Sequence, residues 1–361
     1  MRTVDIRYQI LRHGAFYGWL AAPVDGAPSL RMEAAGEIKT ALTGTFGTWV
    51  TDADGNRVEP DWLSDEIEPI LVIDGKEHPL GVYAASQVTP TESNDVQSLQ
   101  IEAFDRCWRV RDTKAESRLY FASGTQYISA VEQLLVASGI AVVLATPSSE
   151  TLKEDREWDI GTSYLEVTNE LLGEINYNQL HFTPEGYAVL EPASVPTAAE
   201  IRHRISDRPD EISAGADRID AMLPAITRTT DIYNAPNVFV AWCANPDKTG
   251  NMVARSENIN PQSPLSISRR GRRIVQVTQV DNIASQEELQ AYADRQRNDS
   301  LISGETIEIS TALLPGYGVR DVVGLKYKDL SALCILQGYT MELRAGGAMR
   351  MTLERVVDNF D

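Results

Sequence analysis

Residues 69–88, PILVIDGKEHPLGVYAASQV, followed at 98–112 by SLQIEAFDRCWRVRD, decide the fold of this chain. In the first stretch an apolar run from Pro69 to Ile73 meets Asp74-Gly75 and then a second run. An Asp-Gly pair between two such runs signals a two-residue hairpin turn. In the second stretch Leu99, Ile101 and Ala103 alternate with polar residues, the period of a half-buried strand, and the segment runs into a corner. Working outward, Val4, Ile6, Tyr8 and Ile10 alternate in the same way. The apolar run AFYGWLA follows RHG (12–14), which gives that triplet strands on both sides. FGTWV (46–50) and the polar TDADGNRV read as a strand and a tight turn. Many short strands with Gly and Pro turns predict an antiparallel barrel or sandwich.

The texture changes at about residue 112. TQYISAVEQLLVASG (125–139) reads as a helix capped by Thr125, with Ile128, Val131, Leu134 and Leu135 on one face and Gly139 at its end. SYLEVTNELLGEIN (163–176) reads as a second helix with a Ser163/Glu166 capping box and an apolar face of Leu165, Leu171, Leu172 and Ile175. QLHFTPEGYAVL (179–190) reads as a hairpin around Pro184-Glu185-Gly186. Residues 193–235 are polar and rich in turns. NVFVAW (237–242) and RRIVQVTQV (272–280) are strands separated by loop-like sequence containing NPDKTG and NINPQSP. A helix at 285–301 carries a Ser285/Glu288 capping box. Strands at 305–311, 319–327, 331–344 and 348–356 close the chain. The expected fold class is mainly β with α+β inserts. Its divisions are a β-rich region over 1–111, an α/β insert over 112–192, and a second β-rich region over 193–361 with a loop- and helix-containing insert near 245–303.

A length of 361 residues predicts two or more domains. No apolar run reaches the length of a membrane span. The N-terminus MRTVDIRYQI alternates and carries charge, unlike a signal peptide, so synthesis in a cytoplasm is expected. Cys107, Cys243 and Cys334 have no metal-ligand spacing and read as reduced, buried thiols. The formal charge of −19 disfavours gripping nucleic acid. It does not disfavour a surface along which DNA must slide without sticking.

Arg12-His13-Gly14 resembles the opening of histidine phosphatases. That chemistry needs a second His, further Arg residues and an acid, on a parallel α/β sheet. The chain has four His and shows no βαβ alternation over 1–110, so a hairpin corner is the better reading. DWLSDEIEP (61–69) gathers Asp61, Asp65, Glu66 and Glu68, and with 52 acidic residues such clusters arise by composition. DADGN (52–56) fails the EF-hand pattern, because positions six and twelve are Arg57 and Leu63. Nucleotide and hydrolase signatures are absent from the sequence. No cofactor or metal is expected. RRGRR (269–273) is a basic cluster in an acidic chain. Its Arg269, Arg270, Arg272 and Arg273 are candidates for contact with a subunit or partner, beside the equal alternative of a solvated hairpin entrance and the lesser one of DNA contact. Six Trp and thirteen Tyr are spread along the strands, which favours core packing over a carbohydrate-binding loop.

The order of these elements resembles the phage tail hub family, the baseplate hub and tail-tip proteins related to late-control D and type VI spike-base proteins. IEPILVIDGKEHPLGVYAASQV with SLQIEAFDRCWRVRD is similar to the family's first barrel, with its Gly hairpin and Asp-containing corner. TQYISAVEQLLVASGI and WDIGTSYLEVTNELLGEINYNQLHFTPEGYAVLEP are similar to its two helices and Gly-turn hairpin. DIYNAPNVFVAW resembles the return into the second barrel. ASQEELQAYADRQ and LLPGYGVRDVVGLKY with the strands after it resemble the closing elements. The resemblance implies two tail-tube-like antiparallel β-barrels per chain and an α/β insert. It also implies a homotrimer that joins a sixfold tail tube to the tip and carries the DNA channel. DNA would pass without specific binding. Implied partners are a distal tail ring protein, a tape-measure protein and a spike or fibre protein. The implied location is the virion tail of a phage, or of a phage-derived particle such as a gene transfer agent, after synthesis in the bacterial cytoplasm. Because the chain stops at ERVVDNFD after its last strand, puncturing or wall cutting is expected of another chain. The rival reading is a tail-associated cell-wall hydrolase using carboxylates of the 52–68 loop.

Overall fold

Alternating apolar residues and positive-φ turns build most of this protein. Its computed structural model describes residues 2–93, 96–194, 196–208, 219–230, 235–243, 252–261, 263–280, 286–302 and 305–356. Half of the chain is strand and 15% helix, so the fold is mainly β. Two units divide it. One holds residues 1–193, 311–319 and 338–350, and the other 194–310, 320–337 and 351–361.

The first unit opens with ten strands: β1 (Val4–Arg12), β2 (Ala15–Leu20), β3 (Pro23–Glu33), β4 (Thr40–Phe46), β5 (Val50–Asp52), β6 (Arg57–Val58), β7 (Asp65–Ile73), β8 (Lys76–Pro79), β9 (Tyr83–Ser93) and β10 (Val96–Asp105). They pair in the order β3-β4-β10-β9-β7-β1-β2-β5-β6, with β8 beside β7. The Asp74-Gly75 turn forms as the sequence predicts, at φ +50° and +81°, and sets Ile73 opposite Lys76. Ile10, Leu30, Leu42, Phe46, Ile67, Leu71 and Ile101 are buried on one side of the sheet. Strands β3 and most of β4 escaped the sequence reading. Pro23, Gly26 and Pro28 break the alternation of β3 and force the register shifts seen against β4.

At Asp105 the chain leaves β10 and coils into α1 (Cys107–Asp112). Next come β11 (Leu119–Phe121), α2 (Tyr127–Ala137), β12 (Val143–Ala145), β13 (Arg156–Trp158), α3 (Tyr164–Glu174), β14 (His181–Phe182) and β15 (Ala188–Leu190). The apolar faces of α2 and α3 meet in one core with Cys107, Val110, Leu180 and Leu190. Gly139, at φ +79°, ends α2 as expected. The cap of that helix is Gln126 rather than Thr125. Ser163 caps α3 by accepting from the Leu165 N–H.

The second unit contains β16 (His203–Ser206), β17 (Ile219–Thr229), β18 (Val238–Cys243), β19 (Met252–Glu257), α4 (Ile267–Arg270), β20 (Val275–Gln279), α5 (Gln286–Ile302) and β21 (Thr306–Ala312). β22 (Val322–Tyr327) and most of β23 (Leu330–Glu342) and β24 (Ala348–Val356) complete it. Strands β22-β16-β17-β21-β24-β23 form a closed six-stranded barrel, shut by the β22–β23 pairing. Ile205, Met222, Ile307, Ile309, Val323, Leu325, Cys334, Leu336, Met351 and Leu353 are buried on its strands, so the barrel is filled by side chains. It is not purely antiparallel, because β16 runs parallel to both β17 and β22. The connection from 206 to 219 is long enough for the crossover that a parallel pair needs. Strand β18 was expected to re-enter the barrel. It instead forms a separate three-stranded sheet, β19-β18-β20. Ser285, half of the expected α5 capping box, lies outside the described residues, as do residues 245–250 of NPDKTG.

Candidate functional site

The four arginines of RRGRR fall on one short segment beside that small sheet. Ser266 caps α4 by accepting from the Arg269 N–H, and Gly271 at φ +64° ends the helix in the left-handed conformation. The segment is held by Asn237, which is fully buried. Its amide donates to the carbonyls of Leu265 and Arg272 at 3.2 and 3.0 Å and accepts from the Ile274 N–H at 2.7 Å. Arg269 and Arg272 are exposed. Arg270 donates to the Ala235 carbonyl. Arg273 meets Glu257, which also pairs with Arg255 at 2.7 Å. The sequence cluster is therefore a built rim at one end of the sheet.

Among the described residues, one face of the β19-β18-β20 sheet is covered by α5, and the other is exposed over most of its length, with Val238 buried at one end. Ala241, Cys243 and Ala254 pack against Leu289 and Ala293 of α5. On the opposite face the registers place Val253 beside Trp242, and Arg255 beside Val240 and Val277. Val253, Val275 and Val277 are 55%, 52% and 62% exposed. Two of these valines lie on β20, an edge strand of the sheet, where natural proteins usually place charge. The alternation in RRIVQVTQV shows which residues share a face. It carries no information on whether that face is covered.

Five of the seven carboxylates at 52–68 are engaged locally. Asp52 accepts from the N–H groups of Asn56 and Asp54 at 2.8 and 3.0 Å, and these bonds, Asn56 first, hold its carboxyl below the usual range. Asp61 accepts from the Ser64 hydroxyl at 2.8 Å and the Leu63 N–H at 3.2 Å, with the same direction of shift. Asp65 is buried against Arg12. Glu66 is buried between Arg106 and Arg109, at 2.7 and 3.4 Å. Glu68 accepts from Gln9 at 2.9 Å, and burial pushes its carboxyl up. Glycoside hydrolysis needs two carboxyls facing one cleft; here all five shape turns or tie strands together. The loop does present Leu63, which is 99% exposed at the tip of the turn that Asp61 caps. No local signal in the sequence marks this leucine as exposed.

His13 and Gly14 sit at φ +53° and +78°, and Arg12 pairs with Ala15 across them. This is a two-residue hairpin turn of the primed type. The corner Asp105 is buried, accepting from the N–H and hydroxyl of Thr40 at 2.7 and 3.0 Å and from the Cys107 N–H at 2.9 Å. Burial pushes its carboxyl up. Neighbouring Lys39 is also buried and donates to the carbonyls of Ala34 and Gly36 and to the Gln179 side chain. Among the described residues there is no cluster of three or more His, Cys, Asp or Glu able to hold a metal, and no helix long and apolar enough to cross a membrane.

No family model and no curated protein matches the sequence. Solved structures do match the fold. A tail protein from Neisseria meningitidis aligns over 97% of this chain and 96% of its own, with a TM-score of 0.65 at 14% identity. The 43 kDa tail protein of prophage MuSo2 from Shewanella oneidensis aligns over 97% and 98%, with a TM-score of 0.66 at 12% identity. A prophage tail protein from Listeria monocytogenes aligns over 96% and 94%, with a TM-score of 0.55 at 13% identity. The fold of this chain is that of phage tail proteins along nearly its whole length.

Proposed function

We propose that this chain is a structural hub of a phage or phage-derived tail, a trimer at its distal end that joins the sixfold tube to the tip. The observation that carries this reading is the near-complete, two-way alignment with tail proteins from three bacteria. Partial coverage would fit a shared barrel; coverage above 90% of both chains includes the inserts as well. Two β-rich bodies in each of three copies would present six to a sixfold ring.

The physics of the chain supports a conduit that runs between copies. The closed barrel is filled with side chains, so DNA would pass along the axis of the assembly and not through a barrel. With 33 basic and 52 acidic residues, an assembled ring repels DNA phosphates and lets the genome slide. The role is one of assembly rather than catalysis. Its partners would be a distal tail ring protein, a tape-measure protein and a spike or fibre protein, and its place the virion tail. Electron microscopy of the purified chain at high concentration, with mass measured in parallel and the adjacent ring protein added in a second arm, tests this. A threefold ring with an open centre is expected in at least one arm. Monomers or rings of another symmetry in both would overturn it.

A further inference from the structure

The exposed valines of the β19-β18-β20 sheet and the Leu63 turn are both apolar, and the charges beside them are opposite. We propose that they are the two halves of one contact, in which the 59–65 turn of one copy docks on the Val240/Trp242/Val277 face of the next. This deepens the ring reading above and rests on it for its biological setting. The two surfaces can be tested directly.

Three observations carry the pairing. The first is the face itself. Val253, Val275 and Val277 are each more than half exposed around half-buried Val240 and Trp242, on a sheet whose other side is sealed by α5. Exposed valines on an edge strand mark a surface made to be covered. The second is Leu63. A leucine 99% exposed on a floppy loop would mean little. This one is held outward by Asp61, whose backbone carbonyl accepts from Ser64 and Asp65 at 3.0 and 2.8 Å. The Asp61 N–H in turn donates to Asp65 at 2.7 Å. A rigid apolar knob loses little entropy on docking. The third is charge. Glu59 and Asp61 are exposed beside the knob, while Arg269, Arg272 and Arg273 lie at one end of the face and Arg255 on it, a group that stays net positive with Glu257 paired to Arg255 and Arg273. In a chain of net charge −19, a basic rim finds its complement most readily on another copy of the same chain.

Knob and face are different surfaces, so the contact is heterologous and joins copies head to tail. Repetition of such a contact closes a ring when the rotation allows. One leucine per contact makes a weak pair, which fits assembly at high local concentration rather than a permanent dimer.

The test is cross-linking between two singly substituted full-length chains, Leu63→Cys and Val277→Cys, mixed at high concentration with a short bismaleimide. The three native cysteines are buried and serve as the background control in unsubstituted chain. A cross-linked heterodimer at least tenfold above either chain alone is expected. Adding Arg269→Glu and Arg272→Glu to the Val277→Cys chain should abolish it. Adding Glu59→Lys and Asp61→Lys to the Leu63→Cys chain should restore it against the reversed rim. Circular dichroism of each variant confirms folding. If Asp61→Lys disturbs the turn, Glu59→Lys alone serves. No heterodimer, or one indifferent to charge reversal, overturns the contact. A ring by microscopy without this cross-link leaves the hub standing and removes the contact. The cross-link without a ring does the reverse.

Discussion

Arg12 grips Asp65 with two parallel hydrogen bonds, Nε to Oδ1 at 2.7 Å and Nη2 to Oδ2 at 2.8 Å. The Asp65 side chain is wholly buried, and the Arg12 guanidinium stacks 3.7 Å from the Tyr17 ring centroid. The pair joins the first hairpin to the start of β7 and anchors the turn that displays Leu63, since Asp65 also accepts from the Asp61 N–H. Removing one partner of such a pair leaves a buried charge uncompensated, at a cost of about 3 kcal/mol. Arg12→Ala should therefore lower the denaturation midpoint clearly more than Arg7→Ala, whose ion pairs are exposed. Equal effects in urea titrations would show that the Arg12–Asp65 pair is not an anchor.

The hairpin at His13 makes a prediction opposite to that of a nucleophile. A residue at φ +53° before a Gly is the position that Asn favours in a primed turn. His13→Asn should hold or raise the melting temperature, while His13→Val, β-branched at positive φ, should cost about 1 kcal/mol. Neither chain nor the parent should turn over p-nitrophenyl phosphate. Turnover lost in His13→Asn would reinstate the catalytic reading.

Those two cases show what the sequence makes legible. Turns whose chemistry is local, such as Asp74-Gly75 and His13-Gly14, can be read directly, because the residues that need positive φ announce it. Helices α2 and α3 are equally open, since one periodic face suffices. Strand β3 was not, because Pro23, Gly26 and Pro28 hide its alternation while pairing with β4 still makes it a strand. Strand β18 was seen but assigned to the wrong sheet. Alternation fixes a strand and its faces, and its pairing partner is decided by contacts distant in sequence. Of the site, the arginine cluster was visible as composition. Its anchoring by buried Asn237 and the exposure of Val275, Val277 and Leu63 are tertiary facts with no local signal.

Asp105 should leave a pH signature. Burial raises its carboxyl above the ordinary aspartate value, despite the donors from Thr40 and Cys107. A carboxyl raised in the folded state holds its proton more tightly there than in the unfolded chain. Its contribution is fully present below the unfolded value of about 3.9 and is lost as pH rises through the folded value. Asp52, Asp61 and Glu305 are shifted the other way and mask the slope in the parent chain alone. The difference between parent and Asp105→Asn isolates it. Parent stability relative to the variant should be highest near pH 4 and decline towards pH 7, measured by urea titration at each pH. A difference that grows with pH would mean that the three donors outweigh burial.

Among the described residues, none is placed to bond the hydroxyl of Tyr8. Its ring is 3% exposed and meets Phe46 edge-on, with centroids 4.8 Å apart, while its hydroxyl is buried. Burial also pushes the phenol far above its ordinary range. An unsatisfied buried hydroxyl costs about 1–3 kcal/mol. Tyr8→Phe removes only that oxygen and keeps the ring in place, so it should stabilise the chain by about 1 kcal/mol. Tyr8→Leu discards the edge contact and should destabilise. Thermal unfolding of the two variants beside the parent gives the order Phe above parent above Leu. If Tyr8→Phe instead unfolds at a lower temperature, the hydroxyl is bonded in solution, and the space around it holds an ordered water.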